Sequence, residues 1–286
     1  MLQALLSGVL VGGIYGLFSM GFSLAFGVMR IVNFAHGELV MLGMYCSLGV
    51  FALTRIDPLF AVPISAVVIA ALGVLMYVLF YRRFVGKATL QQLLVAIALA
   101  LVLQSLAQIA FSPDTRGVQS AFGSKYLLIG SVFLSYAQVI AFALALGFVI
   151  LVELLLHKTV WGQSIRSVAD DAEAAEIVGI DSHRVNILAM ALSTGLAGVA
   201  GGVLVTYFPV NPHVGFTLMP IALIATVIGG LGSVSGAFLG GIVCGLVQQL
   251  TSLFWTPALQ DVPLYVLLLV FLAFRPFGLL GRKSAH

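Results

Sequence analysis

Nine apolar runs, at about residues 2–27, 36–53, 58–80, 89–111, 133–156, 185–207, 217–230, 236–255 and 262–280, take up most of this 286-residue chain. A helix needs roughly 20 apolar residues to cross the hydrocarbon core of a bilayer, and most of these runs reach that length. Charged side chains supply only 8% of the residues, against about 25% in ordinary soluble domains. No aqueous fold hides so much apolar surface, so the solvent is lipid. None of the runs alternates polar and apolar residues as a membrane β-barrel must. The expectation is an all-α integral membrane protein, a single domain over 1–286, with a polytopic bundle of about 8–10 transmembrane helices. The first run holds no Lys or Arg before Arg30, unlike the basic start of a cleaved signal peptide, and reads as a retained span.

Lysine and arginine collect in the cytoplasmic loops of membrane proteins. With the N-terminus outside and every run crossing, the inner side receives Arg30, Arg82, Arg83, Lys87, Lys158, Arg166, Arg184, Arg275, Arg282 and Lys283. Only Arg55, Arg116 and Lys125 fall outside. N-out and C-in is therefore expected. The run at 217–230 is short and carries Pro220, so it reads as a crossing or as a re-entrant segment held within protein. Only a crossing keeps Arg275, Arg282 and Lys283 inside. These loops account for the basic balance, and no nucleic-acid partner is implied.

Glycine recurs at helical spacing, as at Gly8, Gly12 and Gly16 and at Gly232, Gly236 and Gly240. Small residues four apart let helix backbones approach closely in lipid. The block Gly229–Gly236 is not a phosphate loop, because no Lys-Ser/Thr follows. Ser7-Gly8-x-x-x-Gly12-Gly13-Ile14 returns as Ser235-Gly236-x-x-x-Gly240-Gly241-Ile242. Opposed copies of this kind occur in inverted-repeat transporters, and equally arise from a common packing motif. Cys46 and Cys244 sit inside apolar runs and read as small core residues. No spacing of His, Cys, Asp or Glu suggests a metal site. His36-x-Glu38 lacks the Pro-Cys-x-x-Cys half of a zinc deaminase.

The charge that is absent from the spans gathers in one place. Eight of the 23 charged residues lie between His157 and Arg184, a loop of about 157–184 expected on the cytoplasmic side. From Gln163 to Val178 the apolar residues Ile165, Val168, Ala169, Ala172, Ala175 and Ile177/Val178 recur near the helical period. Arg166, Asp170, Asp171, Glu173 and Glu176 fill the other face, and Gly179 supplies a helix stop. A short amphipathic helix with an acidic face suits docking to a soluble partner better than lying on anionic lipid.

Within this loop Glu173-Ala174-Ala175-x-x-x-Gly179 resembles the EAA-x-x-x-G signature of ABC importer permeases, although no Ile-x-Leu-Pro follows. A longer string is Arg30-Ile31-Val32-Asn33-Phe34-Ala35-His36-Gly37-Glu38-Leu39, followed by Met41-Leu42-Gly43-Met44-Tyr45. It is similar to the INFAHG-(E/D)-L-x-MLGAY hallmark of LivH-type permease subunits of branched-chain amino acid importers. The tail Arg275-Pro276-Phe277-Gly278-Leu279-Leu280-Gly281 resembles that family's RPxGLFG ending. Ile228-Gly229-Gly230-Leu231-Gly232-Ser233 through Gly236 resembles its GGxGS-x-x-G connection. The matches run the length of the chain in the family's order.

The resemblance implies an ABC importer permease fold in the bacterial inner (plasma) membrane. It implies a heterodimer with a LivM-like permease, two ATP-binding subunits (LivG/LivF-like) on the cytoplasmic face, and a periplasmic substrate-binding protein. The chain has no Walker A lysine, so it is a transport subunit rather than an enzyme, and no cofactor is implied. Branched-chain or other hydrophobic amino acids are the expected cargo, and relatives of this architecture import urea, amides or aromatic carboxylates. Arg166, Asp170, Glu173, Ala174, Ala175 and Gly179 would couple to the ATPases.

Candidate path or gate residues are polar groups at membrane depth, which are costly unless they face protein or water. They are Asn33, His36 and Glu38 between the first two spans, Gln104 and Gln108 with Ser105, Gln248 with Gln249 and Ser252, and Ser193 with Thr194. Each reads as an interhelical hydrogen bond or as a substrate wall. Asn33, His36 and Glu38 read as a brace of the turn or as part of an inner gate. An ion-coupled secondary transporter would need ionisable residues near the midplane, and the spans hold only Glu38 and Glu153, near inner ends. An intramembrane enzyme would need a nucleophile–base pair that the sequence does not show. The outer loop from Ser112 to Ser131, with Asp114, Arg116 and Lys125, could receive a binding protein.

Overall fold

The computed structural model describes residues 1–118, 120, 122–123, 125–129, 132–255, 259–275 and 278–281. Every apolar run becomes a helix. These are α1 (Leu2–Met29), α2 (His36–Thr54), α3 (Val62–Leu79), α4 (Thr89–Phe111), α5 (Tyr136–Lys158), α8 (Ser182–Leu204), α9 (Val214–Gly229), α10 (Val234–Phe254) and α11 (Val262–Phe274). The charged loop supplies α6 (Val160–Asp170) and α7 (Ala172–Ile177). Seven helices among the described residues are long and apolar enough to cross a membrane, while α9 and α11 are shorter apolar helices. The run at 217–230 is thus one 16-residue helix with Pro220 inside it, below the roughly 20 residues of a lone span.

A small β-hairpin joins the helices. Strands β1 (Tyr126–Ile129) and β2 (Val132–Ser135) pair antiparallel before α5. Residues 133–135, which hydropathy assigns to the fifth span, therefore belong to this hairpin instead. The segment has Val, Phe and Leu in succession, and periodicity cannot tell a short apolar strand from helix.

α1 is the centre of the bundle. Most of its residues from Val11 onward are buried, against α5, α8, α9 and α10. Its closest neighbour is α10, which runs antiparallel to it. A methyl group added at Gly8 would meet the backbone of Leu246, at Gly12 that of Ile242, and at Gly16 the side chain and backbone of Phe238. Backbones approach this closely only where side chains are missing, and in lipid such contact is the main attraction between helices.

The repeated glycine motif lies on these two antiparallel helices, but its copies meet different partners. Gly8 and Gly12 face α10, whereas Gly236 and Gly240 face Gly229 and Ala225 of α9. Gly241 and Gly245 are the residues of α10 that meet α1. The two copies thus run antiparallel, as opposed copies must, and each serves as a close-packing surface. The outer ring is formed by α3, α4, α5 and α11, whose Val67, Leu106, Ile109, Ile150, Leu154 and Leu269 are exposed, as lipid-facing side chains should be.

The helix ends sort by charge. Arg30 donates from Nη2 to the Ala169 carbonyl of α6 at 3.3 Å, and His183 at the start of α8 stacks on Tyr77 at the end of α3. The ends of α1, α3 and α5 and the start of α8 thus share one side, together with the charged loop. At the other side Arg116 and Val210 exchange backbone hydrogen bonds of 2.8 Å, and Ser120 donates to Asp57 at 2.7 Å. Arg30 and the charged loop thus lie at the end of the bundle opposite Arg116 and Asp57. Arg282, Lys283 and the Pro276–Phe277 pair of the tail lie outside the described residues.

The α1–α10 contact makes a testable contrast. Gly12→Ala forces a methyl onto the Ile242 backbone and is expected to lower the melting temperature of the purified subunit by on the order of 5 °C. Gly49→Ala adds a methyl that meets nothing within 4 Å and should shift it by less than about 2 °C.

Candidate functional site

The hallmark string 30–39 is not a simple turn between spans. α1 ends at Arg30, which adopts the left-handed conformation (φ 56°) beside α6. Six residues later His36 reaches the carbonyl of Phe18 with Nε2, at 2.8 Å. Phe18 lies about 18 Å back along α1, at 1.5 Å per residue, which is close to the full reach of six extended residues. Residues 31–35 therefore run back along the second half of α1, and Ile31, Asn33 and Ala35 are buried in doing so. Irregular backbone at this depth is tolerated only inside protein.

The side chains of the return are arranged to hold it. Asn33 Oδ1 accepts from the Tyr81 hydroxyl at 2.7 Å and from the Ala35 amide at 3.1 Å. A carbonyl partner requires that His36 Nε2 carry a proton, and in the neutral ring Nδ1 is then the bare nitrogen. His36 also meets Phe22 edge-on. Gly21 fits under the Ser193 carbonyl and the His36 ring, and Gly37 fits against the Gly215 carbonyl. Glu38 lies against Gly215 at the start of α9.

Four polar atoms here are buried with no hydrogen-bond partner among the described residues: Asn33 Nδ2, His36 Nδ1, Glu38 Oε2 and Ser193 Oγ. His36 and Glu38 were expected as a charged pair near the inner surface. The structure places them deeper and apart in their contacts, His36 on the Phe18 carbonyl and Glu38 against Gly215, with no ion pair between them among the described residues. At 3% exposure and with Oε2 unpartnered, the Glu38 carboxyl is costly to hold in its charged form.

The remaining candidates fall into separate places. Gln104 of α4 donates from Nε2 to His213 Nδ1 at 3.1 Å, and His213 is two residues from the Gly215 that touches Glu38. Gln104 thus joins the Glu38 neighbourhood, through a histidine that the sequence shows only as isolated. Gln108 is a turn away on α4 and is half-buried. Thr194 bonds back to its own helix at the Met190 carbonyl. Gln248 donates to Asp261 at 2.6 Å, on the wall of a different cavity. Tyr81 and His213 complete the arrangement, and no local pattern marks either, since their partners lie 48 and 109 residues away.

The charged loop is two helices rather than the single one expected from Gln163 to Val178. Asp171 breaks it: its backbone turns extended, and Oδ1 caps α7 by accepting from Glu173 and Ala174 at 3.0 Å each. Aspartate is among the strongest helix-starting residues, and a run of apolar periodicity did not outweigh it. Gly179 stops α7 as expected, at φ 90°, with its amide on Glu176 and that of Ile180 on Ala175. Ile165, Val168 and Ala175 face the bundle, and Arg166, Asp170, Glu173, Ala174 and Glu176 are exposed. The break turns Ala172, Ile177 and Val178 outward too, contrary to expectation, with Ile177 87% exposed.

A polytopic bundle with a capped, charge-faced helix pair held at its basic end is the form of a transporter's membrane subunit. Residues 4–272 match the family described as branched-chain amino acid transport system / permease component, and the chain belongs to that family. It is 29% identical to the high-affinity branched-chain amino acid transport system permease protein BraD of Pseudomonas aeruginosa, covering 100% of this chain and 97% of that one. It is likewise 29% identical to the corresponding permease protein LivH of Escherichia coli K12, with the same coverage. A probable LivH of Methanocaldococcus jannaschii is 28% identical over 93% of this chain and 88% of its own. Among solved structures, PsaBC from Streptococcus pneumoniae in complex with Fab shares the fold, with a TM-score of 0.52, 11% identity, and coverage of 96% and 92%.

The Asn33–Tyr81 contact is open to a double-mutant cycle. Tyr81→Phe should cost about 1 kcal/mol, and Asn33→Ala more, because it strands the Tyr81 hydroxyl and the Ala35 amide. Thermal denaturation of the singles and the double should show a coupling of roughly 0.5–3 kcal/mol.

Proposed function

We propose that this chain is the membrane-spanning permease subunit of an ATP-driven importer of branched-chain amino acids. It forms the translocation path with a LivM-like permease, is driven by two LivG/LivF-like ATPases, and receives substrate from a periplasmic binding protein. The observation that carries the reading is the α6–α7 pair, tied by Arg30 to the end of α1 and continuous with α8 through the Asp181 cap. Force on its exposed acidic face has a direct mechanical route to the two most enclosed helices of the bundle.

In this reading Arg166, Asp170, Glu173, Ala174, Ala175 and Gly179 form the ATPase-coupling surface, with Ile177 and Val178 as its apolar anchors. Charged residues around exposed apolar ones make a suitable rim for a protein interface. Asn33, His36, Glu38, Gln104, Gln108 and Gln248 belong to the path or its gate. Unpartnered polar atoms at Asn33, His36 and Glu38 support such a role, since packing alone gives no reason to keep them. Rocking of helices about a fixed return segment provides alternating access.

Co-expression with the partner permease and ATPases, followed by purification, should yield a complex in which the ATPases remain bound. The Glu173→Ala/Gly179→Val double variant should assemble yet lose at least about tenfold of its substrate-stimulated ATP hydrolysis. Unchanged hydrolysis would sink the coupling assignment. Thermal shift of the cognate binding protein with leucine, isoleucine and valine, against urea and aromatic acids, checks the cargo.

A further inference from the structure

Against the first half of α1, beyond the Asn33–His36 return, lies a cavity of about 300 Å³, a size at the lower end for small-ligand sites. Its walls come from α1, the start of α5, the end of α8 and the turn after it, α9, α10 and the residues before α11. The polar part includes Tyr15, Tyr207, Asp261 and the amides of Gln138, Gln248 and Gln249. The apolar part includes Leu204, Leu218 and Ile221.

Gln248 is only 4% exposed, and its amide is committed to Asp261 Oδ1 at 2.6 Å. That bond holds the carboxylate at the cavity while using one of its oxygens. The Tyr207 hydroxyl is buried with no partner among the described residues. Among the described residues no Lys or Arg lines the space. A carboxylate, two phenols and side-chain amides with no cation among them recognise a cation that also donates hydrogen bonds. One carboxylate is too few for a divalent metal site.

We propose that this cavity binds a small zwitterionic amine of amino-acid size within this single subunit, its ammonium on Asp261. Its carboxylate is received by the amides of Gln138 and Gln249, and its side chain rests on Leu204, Leu218 and Ile221. The site lies apart from the Asn33–Glu38 return and adds a station to the importer reading, on which it rests for the nature of the ligand.

The test uses the complete transporter in nanodiscs of phosphatidylglycerol, with Thr217→Cys on a background lacking Cys46. Thr217 is an exposed residue of the cavity wall that takes no part in holding the ligand. The rate of its modification by a methanethiosulfonate reagent reports occupancy. Leucine and isopentylamine should each slow the reaction, and 4-methylpentanoate, which lacks the amine, should not. Asp261→Asn keeps an acceptor for Gln248 but removes the charge, and should raise the leucine concentration needed for protection by at least about tenfold. Equal protection by 4-methylpentanoate, or an unchanged leucine requirement in Asp261→Asn, overturns the proposal. So does loss of leucine protection when phosphatidylethanolamine replaces phosphatidylglycerol, which assigns the site to a lipid amine. ATP hydrolysis measured on the same particles separates these results from a failure of the importer reading, since that failure abolishes hydrolysis whatever happens at position 217.

Discussion

Close backbone contact around α1 is the constraint on which the rest of this structure depends. In lipid no hydrophobic force presses helices together, so cohesion has to come from dispersion and a few hydrogen bonds. The glycines at 8, 12 and 16 bring α10 against α1, and those at 241 and 245 complete the fit from the other side. Ser65, whose single hydroxyl proton lies within reach of the carbonyls of both Gly43 and Gly198, ties α2, α3 and α8 by the same close approach. Small residues thus serve as the interior of this protein, and large aliphatic ones as its coat.

That arrangement explains how an extended segment can exist at depth. The return from Arg30 to His36 is lined by α1, Tyr81 and the start of α9, which leaves its backbone enclosed by protein. Gly21, Gly37 and Gly215 provide the room. Once the segment is housed, Asn33, His36 and Glu38 are carried to the interior, where polar groups are costly and local rigidity is high. The Asp171 break serves the opposite end. It separates a helix anchored on the bundle by Ile165 and Val168 from a short one whose Ile177 and Val178 face away.

Much of the fold was legible because lipid imposes a simple rule on sequence. A run of apolar residues between charged loops becomes a helix, and every one of the nine did so. Gly179 ended α7 as its backbone freedom suggests. Less was legible at the sites. Glu173, Asp170 and Arg166 were readable as an exposed face because helical period places them opposite Ile165 and Val168. The Asp171 break was missed because the apolar period persists across it, and the capping preference that overrides that period is a single-residue signal. Residues 133–135 join the hairpin rather than the span because so short a segment, Phe133 and Leu134 before Ser135, fits a strand or a helix equally well.

By itself the sequence determined a helical membrane protein, a charged loop between its apolar runs, and through the 30–45 string its family. Each of these is set by local composition or by short-range spacing, which a linear reading captures. Only the tertiary structure decided that α1 and α8 form the interior while the more apolar α4 and α5 face lipid. Hydropathy cannot separate burial in protein from burial in lipid. Only the structure could also place Tyr81 on Asn33, His213 on Gln104, and Asp261 on Gln248. Such pairings join residues far apart in the chain, and the depth that makes them matter arises only when the helices meet.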